Sequence, residues 1–364
     1  MSEWKNCTLG DLGEVVGGGT PSTKKPEYYG GDIAWITPKD LSTFSGRFIK
    51  HGERNITEEG LKGSSARLMP KNTILFSSRA PIGYVAIAEN EVSTNQGFKS
   101  IVPNDDTDYL FLYYLLKFNK DKIENMGSGT TFKEVSGKTV KAIDVTVPSN
   151  KEKQHEIAKI LGSLDDKIEN NRKINHHLEQ IAKAIFYEKF GNQVPNGLLG
   201  DLASVSSGKR PPIKVSERTA TEDIPILGAA SIMGYTSKSL YSEKILVTGR
   251  VGTHGIIQRY NRPCWPSDNA LVLKSDDYEL VYQNLLSIDF SSMNRGSTQP
   301  LITQTDLKNV AIYIPTQIEL SDFEDTVGTI MQQYESNIVA NESLVQLRDS
   351  LLPKLMSGEI SVTD

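Results

Sequence analysis

The same succession of segments occurs twice in this chain, and a duplicated order commits the fold to two globules built alike. Leu9-Gly10-Asp11-Leu12 opens the first half and Leu199-Gly200-Asp201-Leu202 the second. Small residues then lead to Gly18-Gly19-Thr20-Pro21 and to Ser207-Gly208-Lys209-Arg210-Pro211. Further on, Ile74-Leu75 with Arg79 and Gly83 parallels Ile245-Leu246 with Arg250 and Gly255, an alignment that places the two arginines at equivalent positions. The closest match ends each half: Gly129-Thr130-Thr131 through Val140-Lys141 to Val147-Pro148 aligns without a gap onto Gly296-Ser297-Thr298 through Leu307-Lys308 to Ile314-Pro315. Gene duplication accounts for the correspondence.

After each terminal proline the pattern changes. Ile157, Leu161, Leu164, Ile168, Asn171, Asn175, Leu178, Ala182 and Ile185 recur at alternating steps of four and three, the a/d spacing of a coiled coil. Phe323, Val327, Ile330, Tyr334, Asn337, Asn341, Leu344 and Leu351 repeat it. Pro148 and Pro315 precede these stretches, and Gly191 and Gly358 stand where helix stops belong. The chain therefore divides into a globule at 1–150, a helix at 151–190, a second globule at 191–315 and a second helix at 316–358. Each helix runs for about 60 Å at 1.5 Å per residue. A chain that leaves one globule along the first helix and returns along the second implies antiparallel pairing, with a globule at each end of a rod. Asn171, Asn175, Asn337 and Asn341 lie at corresponding positions of the two seams. They either fix the register, since a shifted pairing strands their amides, or face solvent or a partner.

Within the globules the pattern is short and mixed. Lys99 to Val102, Val145 to Val147, Leu271 to Leu273 and Val310 to Ile314 read as strands, and Tyr109 to Phe118 and Leu280 to Ile288 as helices. The fold class is α+β: two duplicated globular domains, each with a curved or barrel-like sheet, joined by two long antiparallel coiled-coil helices. A composition of 38% hydrophobic and 23% charged residues over 364 positions suits two such cores. No secretory signal follows Met1, and no apolar run approaches the ~20 residues a membrane helix needs, so the expected location is the cytoplasm, away from membranes. Cys7 and Cys264 are too few and too far apart for a disulfide framework or a zinc site. The net charge of −5 arises at the C-terminal end, where residues 316–364 hold 2 basic against 9 acidic side chains. The globules are near neutral, so composition neither demands nor forbids a nucleic-acid partner.

Gly18-Gly19-Thr20-Pro21-Ser22, Tyr29-Gly30-Gly31-Asp32-Ile33-Ala34-Trp35-Ile36, Ile74-Leu75-Phe76-Ser77-Ser78-Arg79, Asn95-Gln96-Gly97-Phe98 and Ser128-Gly129-Thr130-Thr131 together resemble the target-recognition domain of type I restriction-modification specificity subunits. The stretch from Pro148 to Ile160, with Gln154, Ile157 and Ile160, resembles that family's helix entry, and Leu351-Leu352-Pro353-Lys354-Leu355-Met356-Ser357-Gly358-Glu359-Ile360 its C-terminal signature. The second globule departs more: it keeps Ser207-Gly208, Ile245-Leu246, Arg250 and Ser297-Thr298 and lacks the Tyr-Tyr-Gly-Gly element. The resemblance implies a non-catalytic subunit whose globules each read one half of a bipartite site in double-stranded DNA. It further implies that the helices set the gap and dock two methyltransferase subunits, joined in the restricting form by restriction subunits. S-adenosylmethionine, ATP and Mg would belong to those partners, with adenine amines methylated and no cofactor bound by this chain.

Chemical machinery of its own is not legible. Gly137-Lys138-Thr139 fails as a phosphate-binding loop because Phe132 occupies the place of its first glycine, and no methyltransferase tetrapeptide occurs. His176 and His177 lie on the first long helix, where a solvated or partner-facing role outweighs metal binding. For reading bases, Arg suits guanine, and Asn and Gln suit adenine. Asn95, Gln96, Asn269 and Gln299 stand in loop-like surroundings and either read bases or cap their loops. Arg79, Lys209, Arg210 and Arg250 suit phosphate, although for the two recurring arginines a structural ion pair is the rival reading. Thr20, Ser77, Ser78 and Thr130, within the resembling motifs, complete the candidate DNA contacts with His254, which lies after Arg250 and either touches DNA or is a satisfied structural histidine. Three function classes follow: a DNA-specificity subunit, a coiled-coil scaffold that binds no DNA, and a nuclease, for which no carboxylate-metal cluster is apparent.

Overall fold

The structure is a computed structural model describing residues 3–79, 81–128, 133–251, 253, 255–293 and 301–362. It comprises two compact units, one of residues 1–171 and 339–364 and the other of residues 172–338, so each unit contains one globule and part of each long helix.

In the first unit, strands β1 (Trp4–Thr8), β2 (Gly13–Gly17), β3 (Tyr29–Ile36), β4 (Phe48–Ile49), β5 (Arg54–Ile56), β6 (Ile74–Ser78), β7 (Ile82–Ala88), β8 (Val92–Thr94), β9 (Lys99–Pro103) and β10 (Asp144–Pro148) form three sheets. Their orders are β2-β9-β6-β7-β4, β5-β3-β8 and β1-β10. The single curved or barrel-like sheet expected from the sequence is thus replaced by three separate ones. The reason lies in the alternation along β6, which is buried throughout. Ile74 and Phe76 enter the core beneath the helix Tyr109–Phe118, whereas Leu75 enters a second core with Ala34, Ile36 and Val92. A strand with apolar side chains on both faces needs a layer on each side. One layer is helical; the other is the small β5-β3-β8 sheet.

In the second unit, β11 (Gly197–Leu198), β12 (Ser204–Ser207), β13 (Ile224–Leu227), β14 (Ile232–Thr236), β15 (Ile245–Gly249), β16 (Gln258–Tyr260), β17 (Trp265–Pro266), β18 (Ala270–Lys274) and β19 (Ala311–Ile312) repeat the plan. The sheets are β12-β18-β15-β16, β14-β13-β17 and β11-β19. Leu246, Leu271 and Leu273 face the helix Tyr278–Ser287, while Ile245, Val247, Ala270 and Val272 face the other layer. The strand anticipated over Val310 to Ile314 shrinks to Ala311–Ile312.

The long helices span Lys151–Phe190 and Gln317–Met356. In the first unit, Ile157, Ala158 and Leu161 of one and Leu355 and Met356 of the other join the globule core. Above them Arg348 Nη1 donates to Asp165 Oδ1 at 2.6 Å, and Asn171 Nδ2 to Asn341 Oδ1 at 2.8 Å, an antiparallel order. In the second unit, Ala182, Phe186, Phe190, Phe323, Val327 and Met331 join the core. There Asn337 Nδ2 donates to Asn175 Oδ1 at 2.8 Å and Asn175 Nδ2 to the Tyr334 carbonyl at 3.0 Å. The first unit has the same arrangement with the helices exchanged, since Asn341 Nδ2 donates to the Ile168 carbonyl at 3.3 Å. Asn171, Asn175 and Asn337 are buried, so sliding one helix by a turn would leave amides without partners, the geometry of a register lock. The apolar seam itself is thinner than its letters suggest. Leu164, Leu178, Ile330 and Leu344 are only half-buried, and Met331, one place beyond Ile330, is the side chain that fills the core.

The two units cap their core helices differently. The helix Tyr109–Phe118 is capped by its own Asp108, whose side chain accepts from the Phe111 N–H at 2.8 Å. For Tyr278–Ser287 the carboxylate comes from the long helix: Glu324 accepts from the N–H groups of Leu280 at 2.8 Å and Glu279 at 3.2 Å. Burial, reinforced by Glu279 and Asp277, pushes the Glu324 carboxyl up to about 7, although the two backbone N–H groups pull the other way. A carboxyl raised in the folded state contributes stability that is fully present below its unfolded value and is lost as pH rises through 7. The second unit is therefore expected to lose denaturant resistance between about pH 4.5 and 7, with little further loss above, and Glu324→Gln to flatten that slope. Urea midpoints across this range check it; an equal slope in the variant would place the titration elsewhere.

Candidate nucleic-acid interface

In the first unit the loop after β2 and the loop between β8 and β9 meet. Gly19 N–H donates to the Thr94 carbonyl at 2.9 Å, and Ser78 N–H to the Gly97 carbonyl at 2.8 Å. Gly18 permits the approach, because a Cβ there would stand 2.0 Å from the Asn95 carbonyl oxygen and 2.4 Å from that of Thr94. The result is a small exposed platform on which the Thr20 hydroxyl bonds the Gln96 side-chain oxygen. Beside it Lys99 Nζ lies 3.5 Å from the Gln96 carbonyl and 3.4 Å from Glu134 Oε1, and Arg79 Nη1 lies 3.8 Å from Glu134 Oε2. Two cations share one carboxylate there, which leaves a local positive excess suited to a phosphate. Neither Lys99 nor Glu134 stands out from the sequence as a contact; the signal available is Lys99 standing three residues after Gln96.

The second unit repeats the frame. Lys209 N–H donates to the Pro266 carbonyl at 3.0 Å and Arg250 N–H to the Asn269 carbonyl at 2.8 Å. Gly208 would meet the Ser267 carbonyl at 2.2 Å and that of Pro266 at 2.4 Å if it carried a Cβ. Lys209, Arg210 and Asn269 are exposed and Arg250 half-buried. Among the described residues Lys209 and Arg210 form no ion pair, which leaves their charge available to an anion.

The structure thus gathers Thr20, Arg79, Asn95 and Gln96 on one platform and Lys209, Arg210, Arg250 and Asn269 on another. It withdraws two candidates. Ser77 and Ser78 are fully buried in β6, with Ser77 Oγ bonded to the Pro81 carbonyl and the Tyr84 N–H and Ser78 Oγ to the Gly97 carbonyl, so neither faces a ligand. Asn95 is half-buried and its oxygen accepts from the Gly97 N–H at 2.9 Å, the loop-capping arrangement. Thr130, His254 and Gln299 lie outside the described residues.

The equivalence of Arg79 and Arg250 also falls. Lys99 stands opposite Gly17 and Leu271 opposite Ser207, while Ile74 stands opposite Ile101 and Leu246 opposite Leu273. By strand pairing Ile74 therefore corresponds to Leu246, Ser78 to Arg250 and Arg79 to Val251. The bridge from Arg79 to Glu134 recurs as one from Val251 to Leu301, so the ion pair of the first unit has an apolar counterpart in the second. Successive residues of a strand face opposite sides, and a one-residue slip changes the face.

Among the described residues no group of three or more His, Cys, Asp or Glu side chains is arranged to hold a metal, and no helix is long and apolar enough to cross a membrane.

Comparison with known proteins follows the same division. A family model described as the type I restriction modification DNA specificity domain matches residues 1–180 and again 196–345. The chain is 34% identical to the type I restriction enzyme MjaIX specificity subunit of Methanocaldococcus jannaschii, over 100% of this chain and 94% of that protein. It is 22% identical to the HindI specificity subunit of Haemophilus influenzae over 99% of this chain and 100% of the other. Its fold is similar to the crystal structure of a type I restriction-modification S subunit from M. genitalium, with a TM-score of 0.58 at 20% identity, covering 97% of this chain and 96% of that one.

Proposed function

The chain belongs to the type I restriction-modification DNA specificity family, and from that membership we propose that its two platforms read the two halves of a bipartite sequence in double-stranded DNA. The observation that carries the reading is one backbone frame bearing two sets of side chains. Thr20 corresponds to Arg210, and by strand register Gln96 corresponds to Asp268 and Gly97 to Asn269. Base-edge recognition depends on which donors and acceptors are offered, so equal frames with unequal side chains are what reading two different half-sites requires. Lys99 and Arg79 on one platform, and Lys209 on the other, supply phosphate contacts that hold register. A scaffold that binds no DNA would have no use for paired loops held at this tolerance.

The chain acts without chemistry of its own, and methyl transfer to adenine and DNA cleavage fall to partner subunits that bring S-adenosylmethionine, ATP and Mg. The long helices set the gap between the half-sites and dock two methyltransferase subunits. Their exposed apolar side chains support this: Ile160, Val339 and Leu347 in the first unit, and Ile174, Ile181 and Ile338 in the second. Ile181 and Leu347 occupy the same place in the repeat and are 47% and 46% exposed, which suits like partners docking on each.

The test is to combine the chain with its cognate methyltransferase subunit and sequence the modified bases. A bipartite adenine pattern is expected. Exchanging residues 1–150 for those of another family member should change one half of that pattern and leave the other. If both halves changed together, or no bipartite pattern formed, the assignment of one reader to each half would be wrong.

A further inference from the structure

Each platform is tied to its small sheet by an indole, and the two indoles come from different strands. In the first unit Trp35 of β3 is buried, and its Nε1 donates to the Gly19 carbonyl at 3.0 Å. Tyr29 of the same strand packs edge-on against it, with ring centroids 6.0 Å apart, and donates its hydroxyl to the Pro21 carbonyl at 2.7 Å. In the second unit Trp265 of β17 donates Nε1 to the Lys209 carbonyl at 2.7 Å. Gly19 and Lys209 are equivalent, each following the close-approach glycine and each donating its N–H to an equivalent carbonyl, Thr94 or Pro266. The tryptophans are not equivalent. Trp35 stands opposite Ser93 in the β3 and β8 pair, whereas Ile226 stands opposite Trp265 in the β13 and β17 pair. The ring has crossed from one member of a cross-strand pair to the other, and the hydrogen bond it makes has stayed on the same carbonyl.

The chosen carbonyl has a specific leverage. A peptide unit is planar, so fixing the oxygen of residue i fixes the nitrogen of residue i+1 and narrows the direction in which its Cα–Cβ bond leaves the loop. The residues that follow the clamped carbonyls are Thr20 and Arg210. In the first unit the next carbonyl but one, that of Pro21, is held as well, so the peptide planes on both sides of the Thr20-Pro21 step are tied to β3. Planar side chains with two torsions hold such a geometry at small entropic cost, which a long flexible donor would not.

We propose that Trp35 and Trp265 are positioning residues for sequence readout: each clamps the first peptide plane of its reading loop, so that Thr20 in one unit and Arg210 in the other meet base edges in a single orientation. The inference rests on the DNA-reading function proposed above and deepens it by naming what sets the discrimination of each half-site. Neither ring touches DNA; each acts through the residue after the carbonyl it holds. A readout side chain free to wander about its loop still contacts DNA but no longer separates right from wrong bases, because discrimination depends on both partners of a bidentate or paired contact being aligned.

The experiment uses the chain in complex with its cognate methyltransferase subunit, a duplex carrying the bipartite sequence found by methylation sequencing, and two further duplexes, each with one base pair changed in one half. Trp35→Phe keeps a ring in place and removes the N–H. Its discrimination against the duplex altered in the half read by residues 1–150 should fall by about tenfold, and against the other should not change. Trp265→Phe should show the reverse. The salt dependence of binding, which counts phosphate contacts, should match the wild type in both, a result that a collapsed loop or unfolded globule would not give. Replacing either tryptophan by 3-benzothienylalanine, which preserves the shape of the bicycle and lacks only the N–H, should repeat the phenylalanine result even where phenylalanine disturbs folding. Unchanged discrimination in either benzothienyl variant, or equal loss at both halves, overturns the clamp. A wild-type complex that separates neither altered duplex would remove the reading function and the clamp together, so the two failures are distinct.

Discussion

Arg259→Ala is expected to lower the stability of the second unit by about 3–5 kcal/mol, the range for breaking a buried ion pair from one side. The Arg259 side chain is 5% exposed and bonds Glu279 through both terminal nitrogens, at 2.6 and 2.7 Å, and Glu335 at 2.9 Å. The rings of Tyr278 and Tyr282 lie 4.8 and 4.6 Å from its guanidinium carbon. Removing the cation leaves Glu279, at 4% exposure, with no ion-pair partner among the described residues, beside Glu335 and within reach of the already raised Glu324. Asn261, which donates to Glu335 at 2.6 Å, is too weak a substitute. The first unit supplies the comparison. Arg47 is as buried and also bonds a carboxylate of a long helix, Glu169, which occupies in the first helix the place of Glu335 in the second. Its other partner, Asp166, is 72% exposed, so water takes over more of the solvation when the arginine is removed, and Arg47→Ala should cost about 1–3 kcal/mol. Hydrogen exchange of the core-helix amides, followed separately for Tyr109–Phe118 and Tyr278–Ser287, measures both. An Arg259→Ala loss no larger than that of Arg47→Ala would show that exposure of the partner carboxylates does not govern the cost.

The second large effect is expected from single methyl groups. Gly18→Ala should abolish reading of one half-site, lowering specific affinity by about 100-fold or more, since each wrong base pair of a site costs about 1–3 kcal/mol and several are lost together. The added Cβ meets the carbonyl oxygens of Asn95 at 2.0 Å and Thr94 at 2.4 Å, and a backbone oxygen cannot rotate out of the way. The two loops must separate, and the Gly19 to Thr94 hydrogen bond goes with them. Gly208→Ala should act likewise on the other half, through Ser267 at 2.2 Å and Pro266 at 2.4 Å. Gly17→Ala is the internal control, because a Cβ on Gly17 meets nothing within 4 Å although it is the adjacent residue. Methylation sequencing of the three variants decides the matter. If Gly18→Ala kept the full bipartite pattern, the junction of the two loops would not be part of the reading surface.

Much of the architecture was legible beforehand because it is written in local periodicity. The 3.5-residue seam forecast two long helices at 151–190 and 316–358, and the helices span Lys151–Phe190 and Gln317–Met356. The asparagines stood out because polar residues interrupt an otherwise apolar pattern, and they are the residues whose amides pair between the helices. Helix Tyr109–Phe118 followed from its own apolar density. The glycines of the paired loops are visible as repeat landmarks, and the side chains exposed beside them, Thr20, Gln96, Lys209, Arg210 and Asn269, are candidates from the sequence.

What depends on neighbours along the chain can be read from the order of residues: the duplication, the two helices and the position of the paired loops between small residues. Tertiary structure alone decided what depends on neighbours across strands. Arg79 and Arg250 align as letters, but sheet pairing shifts them by one residue and so onto opposite faces, and Val251 takes the place of Arg79. Ser77 and Ser78 are candidates by their place in a resembling motif and are buried because β6 is covered on both sides. Trp35 and Trp265 differ in repeat position, and Arg47 lies in the bend before β4 whereas Arg259 lies on β16, yet each pair serves an equivalent partner, a loop carbonyl for the rings and Glu169 or Glu335 for the arginines. A hydrogen bond or ion pair is satisfied by any donor that reaches the acceptor in space. Duplicated halves can therefore keep the acceptor and exchange the segment that supplies the donor, and linear alignment, which compares only position along the chain, does not register the exchange.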